Sequence, residues 1–246
     1  MRWFTEQVAT SPLTKMIFSI EQLINEAVAK REERKITSWQ ASKLGSCLTG
    51  VYLERLGIKP DTEFDNRTLR VFSCGHIFEE WIVDLCKKQP GNTVETQVRA
   101  ELPEYDATGY ADMVVSNDKK YVYEIKSKHS YGFKYLDLEG ANRQHCMQVW
   151  FYMKALGIDE ARIFYVSRDD LRVADFKVEL NDEQLAKDVL NELSILNEAW
   201  QKKIPPPPLL SRKDEKGKEK EWRITYCRFH SKCTSQKTYL KINLPY

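Results

Sequence analysis

Residues 107–128 read Ala-Thr-Gly-Tyr-Ala-Asp-Met-Val-Val-Ser-Asn-Asp-Lys-Lys-Tyr-Val-Tyr-Glu-Ile-Lys-Ser-Lys. Two runs rich in Val and Tyr, Ala107–Ser116 and Tyr121–Lys128, flank the polar turn Ser116-Asn117-Asp118-Lys119, the pattern of a β-hairpin. Successive side chains of a strand alternate faces. Tyr110, Asp112 and Val114 therefore share one face, which sets a carboxylate between two apolar neighbours. A carboxylate in such a place is costly unless it is paired or binds a metal. On the second strand Tyr121, Tyr123 and Ile125 point one way, and Val122, Glu124, Lys126 and Lys128 the other. Taken alone, Glu124 and Lys126 also fit an ordinary half-buried strand with its charges in water. With a turn centred between Asn117 and Asp118, Asp112 falls opposite Tyr123, one place from Glu124. A different turn or a bulge is needed to bring the two carboxylates face to face.

Outward from the hairpin, Thr93–Leu102 has the same alternation and reads as a third strand. Three helical patterns precede it. One runs from about Leu13 to Arg34, with Ile17, Ile20, Leu23, Ile24 and Val28 on one stripe; one runs from Thr37-Ser38 to Gly57; one runs from Asp65-Asn66 to Pro90-Gly91. Downstream lie a helix from Gly140 to Leu156, strands Ala161–Ser167 and Arg172–Leu180, and a final helix from Asn181-Asp182 to Lys202. Pro205–Pro208 ends the helical part, and the polar run Ser211–Glu221 reads as a solvated surface loop. This order predicts an α/β (α+β) chain whose central mixed sheet is flanked by helices. It divides into an N-terminal helical extension (1–36), a core (37–203), and a Pro-rich linker with a cysteine-bearing C-terminal segment (204–246).

The 246 residues are 42% apolar and 11% aromatic, enough for one packed core and too many for general disorder. Lys and Arg number 38 against 36 Asp and Glu, a net charge of +2, so nucleic-acid binding must rest on a local basic face. No run approaches the ~18 apolar residues of a membrane span, and the start of the chain lacks a signal-peptide pattern. A cytoplasmic protein is expected. Its six cysteines are too sparse and irregular for a disulfide scaffold. Cys74, Cys86 and Cys146 read as small buried hydrophobes.

Two adjacent carboxylates repel each other, and a hard divalent cation relieves this by taking oxygens from both. Lys126, two residues from Glu124, would stand beside the same ion, placed to orient or deprotonate a water and to stabilise charge on a phosphate. That combination is the chemistry of metal-assisted phosphodiester hydrolysis.

The stretch resembles the PD-(D/E)xK nuclease superfamily, with Asp112 as the first acid and Glu124-Ile125-Lys126 as the E-x-K element. His76, in the third helical pattern with Glu79 and Glu80 one turn on, matches the helical histidine of RecB-like members. Gln148 and Tyr152 match their Q-x-x-x-Y helix element, and residues four apart share a helix face. Singly, each has a plainer reading, as a helix histidine bonded to Glu79 or Glu80 or as the polar edge of a core helix. The resemblance covers roughly residues 37–240. It implies a restriction-endonuclease-like core and a Mg or Mn ion held by His76, Asp112, Glu124 and the backbone carbonyl of Ile125. Asp112, Glu124, Lys126, Gln148 and Tyr152 would be catalytic.

Within that branch the CRISPR-associated exonucleases bracket the core with four cysteines that hold an iron–sulfur cluster. Cys47, Cys227 and Cys233 match three of them, which would fold the C-terminal segment back near Cys47. Ile224 stands where the fourth is expected, and isoleucine cannot ligate. The set leaves open an iron–sulfur or zinc site completed by His230 or Cys74, a labile three-cysteine cluster, or none. The resemblance implies DNA as partner, as single strands or ends, with a helicase or CRISPR or recombination proteins beside it. Lys87-Lys88, Arg143 and the loop after Arg212 would extend the basic face of Lys126 and Lys128, and Tyr131, Phe133 and Tyr135 are candidates either for stacking on unpaired bases or for core packing. The activity implied is a metal-dependent exonuclease in recombination, CRISPR adaptation or viral DNA processing. A site-specific endonuclease and a non-catalytic nucleic-acid-binding module remain open alternatives.

Overall fold

The hairpin of residues 107–128 forms the middle of the sheet in the computed structural model, which describes residues 19–29, 35–209, 223 and 226–233, the last in its backbone alone. The elements are α1 (Ile20–Ala29), β1 (Trp39–Gln40), a 3-10 turn (Ala41–Lys43), α2 (Leu48–Arg55), α3 (Asn66–Lys87), β2 (Thr93–Leu102) and a second 3-10 turn (Pro103–Tyr105). β3 (Ala107–Ser116), β4 (Lys120–Lys128), α4 (Ser130–Glu139), α5 (Arg143–Leu156), β5 (Glu160–Ser167), β6 (Val173–Glu179), α6 (Glu183–Lys202) and a last turn at His230–Cys233 follow. The sheet is mixed and flanked by helices, and among the described residues no helix is long and apolar enough to cross a membrane.

β3 organises this sheet. One of its edges pairs antiparallel with β2 along its length, from Leu102↔Ala107 to Thr93↔Ser116. On the other edge its two ends belong to different strands. Residues 107–108 pair in parallel with β1, and Met113–Ser116 pair antiparallel with β4. Between them Gly109, Tyr110, Ala111 and Asp112 face a gap. β4 continues the sheet through parallel pairing with β5, and β6 closes it antiparallel to β5.

The register corrects the sequence reading by one residue. Met113, not Asp112, lies across from Tyr123, because Asn117 N–H bonds the Lys119 carbonyl (2.9 Å) and centres the turn on Asp118. A slip of one residue exchanges the two faces of a strand relative to its partner. Asp112 is thereby brought to the level of Glu124 and onto the same face.

Both faces of the hairpin are covered. Met113, Val115 and Ile125 pack with Ile82 and Val83 of α3. Val114 and Val122 join Val149 and Phe151 of α5 and Val189 and Leu193 of α6 in the larger core. Burying a side chain of this size contributes about 1.5–3 kcal/mol. Helix starts carry their caps: Asp65, Asn142 and Asp182 accept from Thr68, Gln144 and Leu185 N–H at 2.7, 2.9 and 2.9 Å.

Three expectations change. The helix expected over residues 37–57 forms only as α2, because Trp39 N–H bonds the Asp106 carbonyl (2.8 Å) and draws Trp39–Gln40 into the sheet. Residues 130–139 form α4, and α5 starts at Arg143, after Gly140 at φ 77° has broken the chain direction. Of the expected N-terminal helix, α1 lies along α3 with Ile20, Leu23 and Ile24 exposed, and its remainder falls outside the described residues.

Candidate functional site

The gap beside β3 opens into a cavity of about 740 Å³ whose lining includes His76, Glu79, Gly109, Asp112, Glu124, Lys126, Gln148, Tyr152 and Arg168. A cavity of similar volume, about 770 Å³, lies at the turn end of β4 around Lys119–Tyr121 and Gly157–Glu160, away from these side chains.

The backbone makes the gap. Asp112 leaves the β3–β4 ladder and accepts the Ile125 N–H on its own carboxylate at 2.7 Å. On the opposite edge Gln97 adopts φ 49°, and its pairing with Asp112 is skipped. Irregularities of this kind re-aim side chains beside functional sites. Gly109 completes the opening: a Cβ there would sit 2.6 Å from Tyr152 Cε1 and 2.7 Å from the Ala41 Cβ.

Within the gap charge is buried. Glu124 is 1% exposed. Its Oε1 accepts from Lys126 Nζ and from Gln148 Nε2 (2.9 Å), while its Oε2 is buried with no hydrogen-bond partner among the described residues. Gln148 Nε2 also donates to the Tyr152 hydroxyl at 2.8 Å. The Q-x-x-x-Y pair of α5 thus holds Glu124, Gln148 directly and Tyr152 through Gln148.

Burial first, then Glu124, pushes the Asp112 carboxyl well above the usual carboxylate range. Burial also raises Glu124, against the pull of Lys126. For Lys126 burial alone would favour the neutral amine, but Glu124 and Asp112 outweigh it and hold the ammonium above its ordinary value. The site therefore rests with a charged lysine between two reluctant carboxylates.

His76 lines the same cavity but stays largely exposed, its Nδ1 3.5 Å from Glu79. Among the described residues no three His, Cys, Asp or Glu side chains are gathered closely enough to hold a metal ion. The expected set of His76, Asp112 and Glu124 surrounds the cavity without converging, since Lys126 takes one oxygen of Glu124 and Ile125 N–H one of Asp112. A divalent cation nonetheless fits the donor set. Two hard carboxylates with raised pKa values, one of them with an oxygen unpartnered among the described residues, and the Ile125 carbonyl are the kind of oxygen ligands such an ion takes.

Two residues enter the site that sequence reasoning did not single out as functional. Glu79 accepts from Gln97 Nε2 at 2.7 Å and lies near enough to raise both Asp112 and Glu124. Its signal was its place three residues after His76 on one helix face. Arg168, past the end of β5, reaches the cavity through its bond to the Ser127 carbonyl at 3.0 Å, a tertiary contact with no sequence signature. Beside them His145 bonds Tyr165 at 2.8 Å, and burial with the nearby Lys126 and Lys128 pushes its pKa down to about 3.

The surface expected for DNA is also redrawn. Arg143 is exposed and pairs with Asp188 of α6, whereas Phe133 is buried and is not offered to a ligand. The loop after Arg212 lies outside the described residues. At the cysteines, Gly50 lies against Cys227 and Cys47, its absent Cβ 3.5 Å from the first sulfur and 3.9 Å from the Cβ of the second. Two described thiols fall short of the four a cubane cluster takes; Ile224 and the Cys233 side chain lie outside the described residues. Cys74 lies on α3 and His230 is exposed. Burial pushes the Cys146 thiol up to about 11, in keeping with an inert half-buried side chain.

The fold is shared with solved structures. SSO0001 aligns with a TM-score of 0.54 at 18% identity, over 87% of this chain and 94% of that one. The alkaline exonuclease LHK-Exo from Laribacter hongkongensis aligns at 0.50 and 13% identity, over 74% and 93%, and has also been solved in complex with dAMP. A phage-related exonuclease from Haemophilus somnus 129PT gives 0.50 and 13%, over 74% and 98%. At these identities the likeness is one of fold. A scan of known protein families and a search of curated proteins each find no match.

Proposed function

We propose that this chain is a divalent-metal-dependent DNA nuclease of the RecB-like type, an exonuclease acting on DNA ends or single strands. One observation carries the reading: a fully buried glutamate on the wall of an open cleft, near a half-buried second acid and a charged lysine, has one oxygen without a hydrogen-bond partner among the described residues. A structural network has no use for that oxygen, whereas a metal site does. The exonucleases that share this fold, one of them solved with dAMP, support the same reading.

Asp112, Glu124 and the Ile125 carbonyl would hold Mg or Mn, with His76 or Glu79 from α3 completing the set from the far wall of the cavity. When bound, such an ion polarises a phosphodiester and lowers the pKa of water. The chain's own residues supply the rest. Lys126, kept as an ammonium by its acidic neighbours, is a hydrogen-bond donor in the resting site and not a free base. It therefore orients the attacking water or stabilises charge growing on the phosphate. Gln148 bonds Glu124 and is itself bonded to the Tyr152 hydroxyl, so the pair orients the acid. Arg168 offers a cation at the cavity wall for a flanking phosphate. Processing of DNA ends is the chemistry that recombination, CRISPR adaptation and viral DNA metabolism share, and a helicase or a CRISPR or recombination protein is the fitting partner.

End-labelled linear DNA and closed circular DNA, incubated with and without Mg or Mn, test the proposal. Degradation of the linear form alone, only with metal, is expected. In Glu124→Ala the rate should fall by about 10³-fold with the circular dichroism spectrum unchanged. Full cleavage by that variant, or binding of DNA with cleavage of neither form, would overturn the assignment.

A further inference from the structure

We propose that the outer face of α4 is a stacking platform for unpaired DNA bases, continuous with the cleft. The inference rests on the nuclease reading and narrows its substrate to a single strand. α4 starts directly after the strand that carries Glu124 and Lys126, and its inward face is fixed by Phe133 and Leu136, both buried. The opposite face shows Tyr131, Tyr135 and Leu138 to solvent, 60%, 48% and 82% exposed. Their spacing of four and three residues makes one ridge along the helix.

The ridge is rigid. The two tyrosine rings pack edge to face with centroids 5.8 Å apart, and their hydroxyls approach to 3.5 Å. Lys134 Nζ lies 5.3 Å over the Tyr131 ring. A preset aromatic pair loses little conformational entropy when it meets a planar ligand. The path from ridge to cleft is short and cationic. Lys128 lies along Gly132, and Arg168, which lines the cleft, donates its backbone N–H to the Lys128 carbonyl at 2.8 Å.

Charge decides what kind of strand this face takes. Asp137 and Glu139 are exposed on the same helix, and Arg172 is engaged with Asp170 and the Ser130 carbonyl. A duplex, which shows mainly phosphates, gains little here. An unpaired strand shows the faces of its bases, and each base stacked on an aromatic ring adds affinity without regard to sequence.

The test pairs a protein change with a DNA change. Binding of fluorescein-labelled oligo(dT), and of an oligonucleotide of equal length built from abasic sites, is measured by anisotropy without metal. Replacing Tyr131→Ala and Tyr135→Ala together should weaken oligo(dT) binding about tenfold or more and leave abasic binding nearly unchanged. Tyr131→Phe with Tyr135→Phe, which keeps both rings, should bind like the original chain. Equal losses on both oligonucleotides, no loss on oligo(dT), or no binding of oligo(dT) by the original chain would overturn the platform. Cleavage of the same oligo(dT) with Mg or Mn is scored in parallel. Its absence would refute the nuclease reading, while the binding comparison still reports on the ridge.

Discussion

Arg55 and Glu124 are both at least nine-tenths buried, and each has side-chain atoms without a hydrogen-bond partner among the described residues. Their surroundings differ in kind. Arg55 lies between two indoles, its Cζ 4.1 Å from the Trp39 ring centroid and 4.3 Å from that of Trp200. One nitrogen bonds the Thr37 carbonyl and Asp106, while Nε and Nη1 meet no hydrogen-bonding acceptor. The ring faces take part of the role of water there, because an aromatic quadrupole attracts a cation. No ring does this for Glu124. Its unpartnered oxygen belongs to a carboxylate on the wall of an open cleft, and a second acid, Asp112, lies near it. The first arrangement is closed and ties β1 to α2 and α6; the second leaves one carboxylate oxygen unpartnered among the described residues, at the wall of a cleft. Buried charge alone does not mark a functional site. What marks it is a buried charge whose missing partner can arrive from solvent.

The largest effect on folding should come from breaking the closed arrangement. Arg55→Ala removes a guanidinium held between two indoles and leaves a cavity, at a cost of about 2–4 kcal/mol, read as a lower urea midpoint. Arg55→Met refills much of the volume without buried N–H groups and should recover a good part of that loss. If alanine and methionine destabilise equally, the charge held by the rings, Asp106 and the Thr37 carbonyl, and not the filled volume, is what Arg55 contributes. Glu124, by contrast, should be replaceable by Gln with no loss of midpoint, because its burial opposes folding.

Next comes the opening of the cleft itself. Gly109→Ala would place a methyl 2.6 Å from Tyr152 and 2.7 Å from Ala41, and the Ala41 contact has no flexible end to move. Overpacking of this sort costs about 1–3 kcal/mol. Displacing Tyr152 also frees Gln148 from its place on Glu124. Cleavage should therefore fall by more than the loss of folded protein accounts for, measured as specific activity at a temperature where the variant is fully folded. Activity that merely tracks the folded fraction would show that the Tyr152–Gln148–Glu124 chain does not position the acid.

How much of this was readable from the chain varies with the range of the interaction. The strands at 93–102 and 107–116 and the capped helix after Asp65 follow from local alternation and turn chemistry, so sequence and structure agree on them. Trp39–Gln40 was misread as helix because its strand partner, Ala107–Thr108, is far away in sequence, and local pattern carries no trace of it. The helix at 130–139 is not marked locally, since its two buried residues, Phe133 and Leu136, make too short an apolar stripe to stand out. The residues of the site were legible as types in order. Their facing was not, since it turns on whether the hairpin bends at Asp118 or half a residue earlier. Glu79 and Arg168 come to the cavity only through packing.

The finest test concerns Asp112, where the comparison predicts a sign. A carboxyl whose pKa is raised in the folded protein binds protons more readily there than in the unfolded chain. The stability it removes is absent below about pH 4, where both states are protonated. It grows as pH rises through the unfolded value and levels off above the folded one. Burial and Glu124 place Asp112 in this class. Asp112→Asn should then melt higher than the original chain at pH 7, with the advantage disappearing as the pH falls to about 4. Mn should raise the melting temperature of the original chain at pH 7 and have much less effect on the variant, because an ion bound to the folded state adds stability only where its ligands remain. A variant that melts lower at pH 7 would mean that Asp112 belongs with Arg55, as a charge already satisfied by the fold through the Ile125 N–H.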